Sequence, residues 1–172
     1  SLYLDSPELD FLSLHEESAP DRLKLRVRAY EESPTGPAFF EIKRKVKWVT
    51  FKHRATVTQA QVQPLLTGAP ISSVRLRTQE ETKTLEHFLY LMAVHRAVPT
   101  ALITCKREAF TAIEGAEDVR LTLDREIAYQ MPRGYSLHGD PQAWIPLIGL
   151  FGDTLDATTL LEIKSRGVAP WW

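Results

Sequence analysis

Arg22, Lys24, Arg26 and Arg28 stand at alternate positions in RLKLRVRAY (Arg22–Tyr30), separated by Leu23, Leu25, Val27 and Ala29. A period of two places all four cations on one face of an extended strand. The pattern returns downstream. Glu41, Lys43, Lys45 and Lys47 share one parity against Phe40, Ile42 and Val46, with Arg44 as the exception, and Lys52 and Arg54 oppose Val49, Phe51, His53 and Ala55. Further along come Arg107, Arg120 and the pair Glu162 and Lys164. Like charges directly across a sheet repel, so faces built this way need anions between them. If the sheet curls with these faces inward, guanidinium and ammonium groups line a tunnel. Its fitting occupant is a polyanion, with phosphates foremost, because both cation types make strong charge-assisted bonds to phosphate oxygens.

A basic face on one strand is ordinarily only a solvated face. Repetition over four or five strands argues for a ligand. Nucleic acid is the weaker ligand, because sheets that read RNA place exposed aromatics between the charges. In Arg22–Tyr30 only Tyr30 could serve. The five histidines show no metal-ligand spacing, and Cys105 has no evident His-plus-acid partner set for nucleophilic work. Trp48, Trp144, Trp171 and Trp172 read as packing residues, and Arg44 and Lys47 as solvent-facing ones.

The elements that must hold these residues follow from the same periodicities. Leu2–Asp5, Arg22–Tyr30, Ala38–Lys47, Trp48–Val57, Ala101–Arg107, Val119–Ile127 and Thr159–Ser165 read as strands. Ser6 and Pro7 predict a helical turn to about Leu14. Thr58-x-x-Gln61 and Thr78-x-x-Glu81 are capping boxes. After the second, Leu85, Phe88, Leu89 and Met92 form an apolar stripe on a helix to about Arg96, with Pro99 as its stop. Strands and helices do not alternate as βα units, so the class is α+β with a mainly antiparallel sheet.

Bulk properties are those of an ordinary globular chain. It has 172 residues, 44% apolar and 25% charged, with a net charge of −1. Disorder as the main state and a membrane-spanning helix are excluded. One cysteine excludes an internal disulfide. A cytoplasmic location is expected. The charge is polarised: residues 22–54 carry ten Lys/Arg against three acids, and the remainder is net acidic. Such a field bears on ligands rather than on fold.

Taken in order, SLYLDS (Ser1–Ser6), RLKLRVRAY, FFEIKRK (Phe39–Lys45), CKREAF (Cys105–Phe110), VRLTLDR (Val119–Arg125) and LLEIKSR (Leu160–Arg166) resemble the VTC domain, the polyphosphate-polymerase branch of the triphosphate tunnel metalloenzymes, also called CYTH-like. The resemblance spans nearly all of residues 1–172, taken as a single domain. It implies an antiparallel tunnel barrel with helices packed outside. The family's opening strand is expected to precede Ser1, which would leave the barrel open on one side as given. The implied activity is transfer of the terminal phosphoryl group of ATP to a growing polyphosphate chain with manganese or magnesium. Carried over position by position, Arg26 and Arg28 match paired phosphate-binding arginines, and Lys43 a tunnel lysine. Lys52 or Arg54 matches the next basic position. Arg107 and Arg120 match a later pair, Glu162 the metal-binding glutamate, and Lys164 the lysine two residues on. Lys24 and Lys45 share the cationic faces and are added as substrate-binding residues. Glu41 and Asp124 are possible metal helpers, although Glu41 could equally pair with Lys43 or a cross-strand arginine. Where the family tends to have Tyr, this chain has Cys105.

The expected partners are ATP, polyphosphate or triphosphate, with no nucleic acid and no membrane segment. An inorganic triphosphatase or nucleoside triphosphatase is the alternative within the same chemistry. A non-catalytic module that binds polyphosphate or inositol polyphosphates is the alternative outside it.

Overall fold

The structure, a computed structural model, describes residues 1–31, 33–111, 119–147 and 159–165. Among the described residues, three α-helices and eight strands follow one another as β1 (Leu2–Asp5), α1 (Asp10–Glu16), β2 (Asp21–Ala29), β3 (Pro37–Val46), β4 (Val49–Thr58), α2 (Gln59–Leu66), α3 (Gln79–Val94), β5 (Val98–Thr111), β6 (Val119–Gln130), β7 (Ile145–Pro146) and β8 (Leu160–Ser165). The sheet is ordered β4-β3-β2-β1-β5-β6-β7, with β8 also paired to β6. The registered pairs are antiparallel. The α+β antiparallel class expected from the sequence is therefore present, and among the described residues the path of paired strands is open. No helix among them is long and apolar enough to cross a membrane. The chain divides into two compact units, Ser1–Leu102 with Gln130–Ala143, and Ile103–Tyr129 with Trp144–Trp172.

In the first unit the alternation of β2 and β3 separates two faces. Leu25, Val27, Ala38, Phe40 and Ile42 are buried together with Leu85 and Phe88 of α3 and Val62 and Leu65 of α2. Phe40 and Phe88 meet edge to face at 5.0 Å. Helices thus cover one side of the sheet, which leaves the opposite parity, with its cations, uncovered by that core.

β5 and β6 run longer than the expected Ala101–Arg107 and Val119–Ile127, and three other departures from the sequence reading have a visible local cause. α1 starts at Asp10 rather than Pro7, because the buried Asp5 carboxylate accepts from the amides of Phe11 (2.8 Å) and Leu12 (3.0 Å), and Ser6 Oγ accepts from that of Asp10 (3.0 Å). These bonds satisfy first-turn amides that have no helical partner. α3 stops before Pro99, which lies inside β5. Arg96 takes the left-handed conformation (φ 50°), and the amide of Ala97 donates to Met92 O at 2.8 Å, a Schellman ending with arginine where glycine is usual. Lys47 is not a strand residue. It turns the β3–β4 hairpin at φ 54° and donates its amide to Pro20 O. Beside it Trp48 is 92% exposed, which corrects its reading as a packing residue; Trp171 and Trp172 lie outside the described residues.

Both expected capping residues are in place, one with a different partner. Gln61 accepts from the amide of Thr58 at 2.9 Å. Thr78 Oγ1 accepts from the amide of Glu81, but the Glu81 carboxylate accepts from the amides of Arg77 (3.0 Å) and Thr56 (3.1 Å), tying α3 to β4. Burial pushes this carboxyl up, and the bonds from Thr56 and Arg77 outweigh it, leaving the group below its ordinary value. A depressed folded pKa contributes stability that is complete above the unfolded carboxylate value of about 4.3 and fades as pH falls through the folded one. Wild type and Glu81→Gln should therefore melt apart at pH 7 and converge toward pH 3. A gap that persists to pH 3 would contradict this role.

Candidate anion-binding face

The cations of β2, β3 and β4 fall into rows because the hairpin registers align them. Arg22 lies opposite Lys45, and Lys45 opposite Thr50. Lys24 lies opposite Lys43, and Lys43 opposite Lys52, so three ammonium groups stand in register on three adjacent strands. Arg26 lies opposite Glu41, and Glu41 opposite Arg54, with Tyr3 of β1 on the other side of Arg26. Arg28 lies opposite Phe39. Paired residues on an antiparallel sheet point to the same side. Eight basic side chains therefore share one face with a single carboxylate. Lys52 and Arg54, alternatives for one position in the sequence reading, both lie on it.

The arginine row neutralises itself in part through Glu41. Glu41, 8% exposed, accepts from Arg26 Nε at 2.5 Å and from Arg54 Nε and Nη2 at 3.0 and 2.5 Å, and Arg28 Nε stands 4.0 Å away. Burial pushes its carboxyl up, but Arg26, Arg28 and Arg54 hold it below the ordinary range. Its partners are thus cross-strand arginines rather than Lys43, and this geometry does not suit the metal-helper role. The lysine row has no acid in register. Nearby, the buried Arg22 Nε has no hydrogen-bond partner, a desolvated donor of the kind that gains most from an incoming acceptor.

The field of this face reaches α1. Burial lowers the pKa of His15, and the charges of Lys24, Arg22 and Lys43 lower it further. A phosphate chain bound beside those three residues should cancel their part and raise the His15 pKa. An NMR titration of the His15 imidazole with and without tripolyphosphate checks this, and an unmoved pKa would show that no anion sits there.

The face also carries aromatics that strand parity alone only half reveals. Phe39 shares the parity of Glu41 and Lys43 and could have been assigned to it. Tyr3 could not, because the β1–β2 register is not written in the sequence. Lys24 Nζ lies 5.7 Å from the centre of the Tyr3 ring, and Arg26 donates to Tyr3 Oη at 3.2 Å.

The second unit holds the remaining predicted site residues. Arg107 makes a two-pronged pair with the buried Asp124, Nε to Oδ1 and Nη2 to Oδ2, both at 2.5 Å. That pairing holds the Arg107 guanidinium well above its ordinary value. Arg120 lies opposite Lys164, and Thr122 opposite Glu162. Lys164 Nζ donates to Glu162 Oε2 at 2.8 Å, and this bond keeps the Glu162 carboxyl below its ordinary value despite some burial. Arg107 lowers it further and Asp124 opposes. No three His, Cys, Asp or Glu side chains gather into a metal cage among the described residues. The exposed Glu162 fits the other mode open to hard divalent ions, one protein carboxylate with substrate phosphates as the remaining ligands.

Two open clefts lie elsewhere in the first unit, of about 620 and 700 Å3. They run along α2 beside Tyr135, and neither is lined by a charged side chain, so neither suits a polyanion.

The family model described as the VTC domain matches residues 1–172, the whole chain. No curated protein matches it.

Proposed function

The chain belongs to the VTC domain family, and from that membership and the cation lattice of β2, β3 and β4 we propose a cytoplasmic, metal-dependent polyphosphate polymerase. It transfers the terminal phosphoryl group of ATP to a growing polyphosphate chain. The observation that carries the reading is the Lys24–Lys43–Lys52 row, three ammonium groups in register on adjacent strands. Like charges in register repel one another, and an extended anion laid across them would offset that repulsion. In this reading the face is one wall of a triphosphate-type tunnel barrel.

The chemistry asks for position and charge more than for covalent help. An oxygen of the acceptor's terminal phosphate attacks the γ-phosphorus, the bond to the β–γ bridging oxygen breaks, and ADP leaves. The acceptor is already ionised, so no general base is required. Lys24, Lys43 and Lys52 hold the phosphates in line and offset the charge that builds on the leaving oxygen. Lys45 and Arg26 steady the flanking phosphates, and Arg28 and Arg54 make further contacts to the substrate. Arg107, Arg120 and Lys164 are assigned phosphate contacts in the second unit, and Glu162 the metal. Bound manganese or magnesium supplies further charge neutralisation on phosphate oxygens.

Incubation with ATP and manganese is the test. Polymer with equivalent ADP supports the proposal. Free phosphate released from ATP or tripolyphosphate without polymer would replace it with a triphosphatase, and salt-sensitive binding without turnover would replace it with a binding module.

A further inference from the structure

Polyphosphate and inorganic triphosphate have no use for aromatic rings, whose π faces are electron-rich and repel anions. Yet the cationic face carries an aromatic pair at the end where β2 passes into β3. Tyr30 is 65% exposed and meets Phe39 edge to face at 5.6 Å. Both rings are dressed by arginine. The Arg28 guanidinium lies 5.7 Å from the centre of the Tyr30 ring and donates to its hydroxyl at 3.3 Å. The Arg54 guanidinium lies 4.8 Å from the centre of the Phe39 ring.

We propose that Tyr30, Phe39, Arg28 and Arg54 form a nucleobase subsite, so that a nucleoside triphosphate lies along this face with its base at Tyr30 and its phosphates at the lysine row. The inference rests on the phosphate-binding reading above and adds the substrate's nucleoside end and its direction. Exposed aromatics and guanidinium planes are the surfaces on which bases stack, whatever the base. The spacing agrees. Phe39, Glu41 and Lys43 are successive same-face residues of β3, so base and lysine rows are about 13 Å apart at roughly 3.3 Å per residue. An extended nucleoside triphosphate spans a comparable length. The intervening row holds Glu41, the one acid among the β2–β4 residues of this face, and there the ligand's uncharged ribose passes. A naked phosphate chain laid the same way would set a charge against that carboxylate.

Affinities for ATP and for inorganic tripolyphosphate, measured by calorimetry without divalent metal, test the subsite. Tyr30→Ala should lose roughly tenfold in ATP affinity, in line with a lost stacking platform, and keep its tripolyphosphate affinity. Tyr30→Phe, which retains the ring, should bind ATP within about twofold of wild type on the same principle. Phe39→Leu should weaken ATP alone. Unchanged ATP binding in Tyr30→Ala, or an equal loss for both ligands, would overturn the subsite and leave the phosphate reading standing. A wild-type protein that binds neither ligand would overturn both.

Discussion

Glu162→Gln is expected to reduce polymer formation from ATP to background while leaving the affinity for metal-free tripolyphosphate at the wild-type value. The carboxylate lies on β8, exposed, opposite Thr122 and hydrogen-bonded to Lys164. Because the Lys164 bond holds its pKa below the ordinary range, it is ionised at neutral pH and available to a divalent ion. Glutamine keeps the volume and an acceptor for Lys164 and removes only the charge, so the strand should fold unchanged. A metal that neutralises phosphate charge stabilises the transition state by several kcal/mol, and each 1.36 kcal/mol is tenfold in rate, so a loss of about a thousandfold is the expected scale. Two readouts check it. ADP release reports turnover, and manganese binding followed by electron spin resonance reports the ligand directly. Full turnover, or undiminished manganese binding in the presence of tripolyphosphate, would remove Glu162 from the metal site.

The second large effect is one of opposite signs. Glu41→Gln should destabilise the anion-free protein and tighten its hold on tripolyphosphate. Wild-type Glu41 is nearly buried and compensates Arg26 and Arg54 directly and Arg28 at 4.0 Å. Removing one member of a buried ionic cluster typically costs about 3–5 kcal/mol, because the remaining charges are left unpaired. The lower end applies, since the Arg54 side chain is 51% exposed and water screens it. The same deletion removes the acid from the middle of the cationic face, so an added anion meets less repulsion. Tripolyphosphate should then raise the melting temperature of Glu41→Gln more than that of wild type, as expected for a ligand that binds only the folded state. The Glu41 contribution follows the sign of a depressed carboxyl: present above the ordinary carboxylate value, lost as pH falls through the folded one. A variant as stable as wild type, or one that binds the anion less well, would contradict this account.

How far the sequence reaches is clearest on this face. Strand parity assigned Arg22, Lys24, Arg26 and Arg28 to one side of β2 and Lys43 and Lys45 to one side of β3, because burial of the intervening apolar residues enforces the alternation. Parity does not set register. That Lys24, Lys43 and Lys52 form a row depends on where each hairpin turns, and the β3–β4 turn falls at Lys47 and Trp48, residues whose types gave no turn signal. The same gap left the partner of Glu41 open. Lys43 is two residues along the same strand, some 7 Å away, whereas Arg26 and Arg54 are directly opposite, at about 5 Å. Register therefore favours the arginines. The aromatic content was underestimated because Tyr3 reaches the face through the β1–β2 pairing and Phe39, though of the parity of Glu41, was assigned to neither face. Helix ends were hidden for a different reason. Arg96 occupies a left-handed position where glycine usually announces the stop, so Pro99 was the only visible signal.

The central claim is that the cations of β2, β3 and β4 converge on a phosphate chain. A crystal structure of the protein grown with tripolyphosphate tests it most directly. The account predicts phosphate density over the lysine row, with Lys24, Lys43 and Lys52 Nζ atoms within about 3 Å of phosphate oxygens. Those three side chains extended into water, with the anion bound elsewhere or not at all, would contradict it.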